Sequence, residues 1–112
     1  MMNNENFEYC KRIADELEQY INGEIIDEET GEELSLYDYF SDILDFNFII
    51  NSDLTYSAVK VYVTLGGPTV WIDTYTGCVE LRWANEKASY YLTSDIIDAV
   101  NDYFEDHYNA CK

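Results

Sequence analysis

The chain has 112 residues, with 23 acidic and 6 basic side chains and a formal net charge of −17. That charge excludes direct binding to nucleic acid or to an anionic membrane surface, because both require basic side chains. It does not indicate disorder, since 47% of the residues are hydrophobic and 16% are aromatic, whereas disordered acidic chains are poor in such residues. A chain of this length is expected to form one domain with a single hydrophobic core.

The first predicted element is an amphipathic helix that ends before Gly23. Its apolar positions recur every three or four residues and form one stripe. The stripe consists of Phe7, Cys10, Ala14, Leu17 and Ile21. Residues 24–33 follow as an acidic loop, in which Thr30 and Gly31 provide a turn between two short segments that can pair weakly as a hairpin.

A short second helix is predicted to begin after Ser35. Ser35 is its N-cap, and Asp38 three residues later completes a variant of the capping box. The apolar side of this helix is predicted to consist of Leu36, Tyr39, Phe40, Ile43 and Leu44. Its other side carries Asp38, Asp42 and Asp45.

From residue 46 onward the hydrophobic period changes from 3.6 to 2, which predicts β-strands. We expect a meander of three to five antiparallel strands, with turns at residues 66–68, 76–77 and 85–87. The inward positions are predicted to be Val59, Val61, Val63, Leu65, Val70, Ile72, Val79, Leu81 and Trp83, followed by Ala88, Tyr90 and Leu92. The outward positions are predicted to include Tyr62, Trp71 and Tyr91 beside Lys60, Glu80 and Arg82.

A last helix is predicted after an N-cap at Thr93 or Ser94. Its sheet-facing residues are predicted to be Ile97, Val100, Phe104 and Cys111, and its acidic stripe consists of Asp95, Asp98, Asp102, Glu105 and Asp106. The sequence therefore predicts a single α+β domain over residues 1–112, with helices packed on one face of an antiparallel sheet. Residues 1–45 form the acidic helices and loop, residues 46–92 the sheet, and residues 93–112 the C-terminal acidic helix.

The acidic residues are concentrated at the two ends of the chain. The 47 residues between Arg12 and Lys60 contain thirteen carboxylates and no base, and the net charges of residues 1–53, 54–92 and 93–112 are −13, 0 and −4. Such a load repels itself in the compact state, which favours a role in binding a positively charged partner. Carboxylates three or four residues apart on a helix lie about 5–6 Å apart, the same order as the phosphate spacing of a nucleic-acid strand.

We therefore interpret these acids as a phosphate-like row that binds a basic groove. The candidate partner-binding acids are Asp27, Glu28, Glu29, Glu32, Glu33, Asp38, Asp42, Asp45, Asp95, Asp98, Asp102 and Glu105. The alternative is a solvated surface that only maintains solubility, although such surfaces usually mix bases with acids.

The outward aromatic residues of the sheet support a second hypothesis. Tyr62, Trp71 and Tyr91 are candidate anchors of a protein interface. On this hypothesis the protein is a small adaptor module whose sheet face pairs with a second copy, as a homodimer, or with another protein. The alternative for this face is that the terminal helices cover it.

No enzyme and no cofactor are predicted. The chain contains none of the common nucleophile, zinc-protease or phosphate-loop motifs, and Cys10, Cys78 and Cys111 have no spacing typical of a disulfide framework or a zinc site. His107, the one histidine, lies near a predicted helix end, where it complements the helix dipole. With neither a signal-peptide pattern nor a long apolar run, the sequence predicts a cytoplasmic location.

Residues 65–68, 71–74, 76–77 and 79–83, which read LGGP, WIDT, TG and VELRW, resemble a pattern in small acidic proteins carried by phages and mobile elements of gram-positive bacteria. In size, charge and helix-strands-helix order the chain is similar to phage-encoded inhibitors, both anti-CRISPR proteins and antirestriction DNA mimics. This resemblance implies an inhibitor that obstructs the basic nucleic-acid groove of a nuclease effector, such as Cas9 or a restriction enzyme, in the host cytoplasm.

Overall fold

The computed structural model describes residues 4–41, 43 and 45–110. In this part of the chain an N-terminal helix, a five-stranded antiparallel meander and a C-terminal helix form an α+β fold, which confirms the predicted class. The elements in chain order are α1 (Asn4–Ile21), α2 (Leu36–Phe40), β1 (Asp45–Ile50), β2 (Tyr56–Thr64), β3 (Thr69–Asp73), β4 (Cys78–Trp83), β5 (Glu86–Tyr91) and α3 (Ser94–Ala110).

The N-terminal third folds as its local sequence signals predict. The apolar stripe of α1 is buried at Cys10, Ala14 and Leu17, and the helix ends where Gly23 adopts a φ of +71°, a conformation that costs glycine little. The following loop is the predicted weak hairpin, since Ile26 and Glu33 form an isolated antiparallel bridge.

The sheet order is β1-β2-β3-β4-β5, so every strand pairs with its neighbour in sequence. Alternate side chains point to opposite faces of a strand. On one face, called the inner face here, the central strands bury Val59, Val61, Val70, Ile72, Val79 and Leu81. The opposite face, called the outer sheet face, carries Lys60, Tyr62, Trp71, Glu80, Arg82 and Lys87.

All three helices contribute to the core on the inner face. Helix α1 packs on β4 and β5, α3 packs on β2, and α2 lies between the two longer helices. Aromatic rings join these layers, with the Phe104 ring 4.9 Å from Phe40 of α2 and 5.2 Å from Phe46 of β1, measured between centroids. The predicted sheet-facing side of α3 is correct at Val100 and Phe104, whereas Ile96 is more deeply buried than Ile97.

Three predicted positions are corrected by the structure. Asp45 does not share a helix side with Asp38, because α2 ends at Phe40 and Asp45 opens β1, where it pairs with Tyr62. Leu65 is 56% exposed, because a register shift after Tyr62 ends the alternation and β2 stops at Thr64. Trp83 is 51% exposed, because it ends β4 at a hairpin turn.

The predictions made for Asp42, Leu44 and Cys111 lie outside the described residues. Within the described ranges, none of the helices combines the length and the apolar composition needed to cross a bilayer.

Candidate partner-binding surfaces

The charge of the molecule differs sharply between its two layers. Residues 4–41 and 94–110, which contain the helices and their acidic loop, hold 17 acids and 2 bases, whereas residues 45–93 hold 5 acids and 3 bases. We call the exposed side chains of α1, α3 and the loop of residues 22–35 the helical face. The acidic excess of the sequence is therefore carried almost entirely by the helical face.

Helix α3 arranges its acids in a line. Asp95, Asp98, Asp102 and Glu105 are all exposed, and their spacing of three or four residues places them about 4.5–6 Å apart along the helix axis. A single strand of B-DNA advances about 3.4 Å for each phosphate. The linear charge density along α3 is therefore somewhat below that of one nucleic-acid strand, but of the same order.

The acidic loop adds a second cluster, Glu28, Glu29, Glu32 and Glu33, whose side chains are exposed. Asp27 has a structural role as well, because its Oδ1 accepts hydrogen bonds from the backbone amides of Glu29 at 2.8 Å and Thr30 at 3.3 Å. Such amides carry no net charge, so they hold the turn in place without neutralising the carboxylate. The loop is thereby an ordered turn that keeps its negative charge.

Asp38 is part of the fold rather than a freely projecting acid. Its Oδ2 accepts hydrogen bonds from the Ser35 amide at 2.7 Å and from the Ser35 hydroxyl at 3.2 Å, which is the reciprocal contact of a capping box. Asp45 accepts a hydrogen bond from the Phe46 amide at 2.8 Å and lies in the sheet. Of the nominated acids in residues 35–45, neither described member projects freely from the helical face.

Basic side chains do little to neutralise the helical face. Between two described residues, one ion pair is found, in which Lys11 Nζ lies 3.1 Å from Asp15 Oδ2 within α1. An exposed pair of this kind contributes little free energy. Neither α3 nor the loop of residues 22–35 contains a Lys or Arg among its described residues.

The outer sheet face has a different organisation, in which charges and aromatic rings are joined. Lys60 Nζ lies 4.7 Å from the centre of the Trp71 ring and 5.3 Å from that of Tyr62, and the Trp71 indole donates to Glu80 Oε2 at 3.1 Å. Cation–π contacts of this kind stabilise by about 0.5–1 kcal/mol at exposed sites. These four residues form what we call the outer cluster.

The three predicted aromatic anchors do not form one patch. Tyr62 and Trp71 are half-buried in the outer cluster, whereas Tyr91 is 80% exposed on the edge strand β5. Tyr91 shares a row with Lys60, Asp73 and Cys78 and so lies three strands, about 14 Å, from Lys60. Because the helices pack on the inner face, they do not cover this surface.

Lys87 was missed by the sequence reasoning, which assigned it to a turn. The structure has a shorter turn at Ala84 and Asn85, and β5 begins at Glu86, so Lys87 lies directly opposite Arg82 in the sheet. The sequence could have indicated this position, because a loop of two residues is the commonest connection in a β-hairpin. Ala84, however, has a φ of +54°, which is uncommon for alanine and so was not expected.

Burial changes the pKa of several titratable side chains in the fold. Burial raises the pKa of the Cys10 thiol to about 11 and also raises the pKa of the Tyr39 and Tyr56 hydroxyls. The Tyr56 hydroxyl donates to Asn101 Oδ1 at 2.7 Å, which links β2 to α3. Among the described residues, no three His, Cys, Asp or Glu side chains are grouped as metal ligands would be.

Comparisons with protein-family models, with curated proteins and with solved structures found no match.

Proposed function

We propose that the protein is an acidic nucleic-acid mimic that inhibits a nuclease effector by occupying its basic groove. The observation that supports this best is the helical face, where the acids of α3 and of the loop are exposed and neither segment contains a described Lys or Arg. The arrangement raises the self-repulsion of the folded state, a cost that binding to a positive surface reverses.

The proposed partner is a protein groove rich in Lys and Arg. Effectors of the Cas9 type hold nucleic acid in such a channel and contact the backbone through its charge and shape. Attraction over the whole helical face would speed the encounter, and the affinity would fall as salt rises. On this proposal the site of action is the host cytoplasm, where the effector meets its nucleic acid.

Competition for DNA binding tests the proposal. DNA binding by a guide-loaded Cas9 or a restriction enzyme is measured by fluorescence anisotropy with increasing amounts of the protein. For an effector that is inhibited, we expect neutralising Asp95, Asp98, Asp102 and Glu105 together to weaken inhibition about tenfold, since each exposed pair contributes roughly 0.2–1 kcal/mol.

The control makes the same change of charge outside the helical face. The double variant Asp45→Asn with Glu86→Gln removes two acids from the sheet, and Asp98→Asn with Asp102→Asn removes two from α3. Inhibition is expected to weaken about threefold in the α3 double variant and less than twofold in the sheet double variant. Equal losses from both pairs would show that only net charge matters, and unchanged inhibition by the fourfold variant would refute the mimic.

A second candidate function is supported by the outer sheet face, which the helices leave uncovered. On this view the protein is an adaptor that pairs through Tyr62 and Trp71, with a second copy or another protein, and its acids serve solubility. Size-exclusion chromatography separates the two candidates. A dimer that persists at high salt and is lost in Tyr62→Ala or Trp71→Ala favours the adaptor.

A further inference from the structure

An open groove of about 360 Å³ is lined by residues of β3, β4 and β5 and by Phe7 of α1. Three described bases of this acidic protein lie on the outer sheet face, and Arg82 and Lys87 line the groove. The other lining residues are Phe7, Trp71, Glu80, Leu81, Ala88 and Ser89. The volume lies near the lower end of the range for small-molecule sites.

The two bases of the groove are placed unfavourably for the protein alone. Arg82 and Lys87 are directly opposed across the β4-β5 ladder, and like charges in that position repel each other. No described carboxylate forms an ion pair with either base. Glu80, two residues away on β4, has its Oε2 engaged by the Trp71 indole and the Thr76 hydroxyl at 3.1 and 3.3 Å. An anion between the two bases would remove their repulsion.

The strand register determines how far Trp71 lies from these two bases. Trp71 pairs with Glu80, and Glu80 and Arg82 are separated by one residue on the same strand, which corresponds to about 7 Å. That separation is comparable to the span of a sugar between the base and the phosphate of one nucleotide. Ser89, which pairs with Glu80 on the next strand, adds a hydroxyl to the same wall.

We propose that the groove binds a mononucleotide, with the phosphate between Arg82 and Lys87 and the base against Trp71. The two cations donate charge-assisted hydrogen bonds to the phosphate, and the indole and Phe7 provide apolar surface for the planar base. Glu80 and Ser89 can accept hydrogen bonds from the sugar or the base. The proposal is independent of the inhibitor function, because it involves other residues and another ligand.

The charge of the rest of the molecule limits the ligand to a short one. Glu80 lines the groove and Glu86 precedes Lys87, so the two bases attract a phosphate against the repulsion of these nearby carboxylates. Acids further away on the helices are screened over about 8 Å at physiological salt. Longer strands would extend from two bases toward the acidic parts of the surface.

Nuclear magnetic resonance of the ¹⁵N-labelled full chain tests the proposal at physiological salt. The probes are AMP, adenosine, inorganic phosphate, TMP and a six-residue thymidine oligonucleotide. We expect AMP to shift the amide signals of Arg82, Lys87 and Ser89 and to bind several-fold more tightly than adenosine or phosphate. Arg82→Gln and Lys87→Gln should each weaken AMP binding about fivefold, which corresponds to one exposed charge pair.

The control is Arg12→Gln, which makes the same charge change on α1, where Arg12 lies over the Tyr9 ring and does not line the groove. This variant is expected to bind AMP as the unaltered protein does. Equal losses from control and groove variants, or equal affinities for AMP and phosphate, would overturn the proposal in favour of nonspecific anion binding. An oligonucleotide that binds more tightly than TMP would overturn the restriction to a mononucleotide, and absence of shifts with AMP would overturn the site itself. Trp71→Leu, expected to reduce the preference for AMP over phosphate, provides a second test.

Discussion

The helical face and the outer sheet face differ in how their charged groups are connected. On the helical face the acids of α3 and of the loop are exposed, and the described Lys and Arg residues of that face lie on α1. On the outer sheet face, Lys60, Trp71 and Glu80 are joined by a cation–π contact and a hydrogen bond. The helical face therefore leaves its acids available, whereas the outer sheet face uses Lys60 and Glu80 within the fold.

This difference shows why net charge alone is a poor guide to function. A value of −17 describes the whole chain, yet residues 45–93 hold 5 acids and 3 bases and include a pair of adjacent cations. An approaching molecule responds to the local field within about a screening length, and not to the total. A protein of strongly negative net charge can therefore carry a local pair of adjacent cations.

The largest expected effect comes from removing the ring of Phe104, which connects helix α3 to α2 and to the sheet. Phe104 is buried and its ring contacts Phe40 and Phe46, so Phe104→Ala should lower the free energy of unfolding by about 3–5 kcal/mol. Urea denaturation followed by circular dichroism measures the change. The control Tyr91→Ala alters an exposed ring and should change stability by less than about 0.5 kcal/mol. Similar changes in stability for the two variants would show that the Phe104 contacts do not hold the helices on the sheet.

A smaller effect on stability is expected for Asp38, whose carboxylate caps α2, and almost none for the exposed loop acid Glu28. Asp38→Ala removes the acceptor for the Ser35 amide and should destabilise by about 1 kcal/mol, as loss of a helix cap does. Glu28→Ala removes a carboxylate from the same acidic segment and should change stability by less than about 0.5 kcal/mol. Thermal melting of both variants at physiological salt provides the comparison. If Glu28→Ala destabilised the protein as much as Asp38→Ala, the Glu28 carboxylate would contribute to folding and would not simply project into solvent.

The smallest expected effect measures repulsion on the helical face. Asp98 and Asp102 are exposed and one turn apart on α3, so Asp98→Asn should stabilise by about 0.2–0.5 kcal/mol at low salt and by less at high salt. The melting temperature of the unaltered protein should likewise rise from low to physiological salt. Flat melting temperatures in both series would indicate that the acids are not crowded.

Where local signals act alone, the sequence predicted the structure well. The apolar stripe of α1, Gly23 at its end and Ser35 before α2 each depend on residues within one or two turns. The strand alternation predicted the inner face for the same reason, since β2, β3 and β4 are buried on one side. It also placed Tyr62 and Trp71 together on the other side, a juxtaposition that the register confirms.

The failures occurred where strand pairing competes with a local pattern. Asp45 continues the helical spacing of Asp38, but pairing with Tyr62 determines its position. Leu65 continues an alternation that the register shift after Tyr62 interrupts. Lys87 was assigned to a turn because the tight turn at Ala84 requires an uncommon backbone conformation. Pairing between strands is a property of two segments, which a pattern in either one does not contain.

The neighbour-to-neighbour order of the strands also determines how the chain can fold. Each strand pairs with the strand before it, so the sheet can assemble one hairpin at a time, and each step closes only a short loop. Helix α1, in contrast, packs on β4 and β5, which lie more than fifty residues later in the chain. That contact, like the contact between α1 and α3, joins segments far apart in the sequence, so we infer that docking of α1 comes late, after its binding surface has been built.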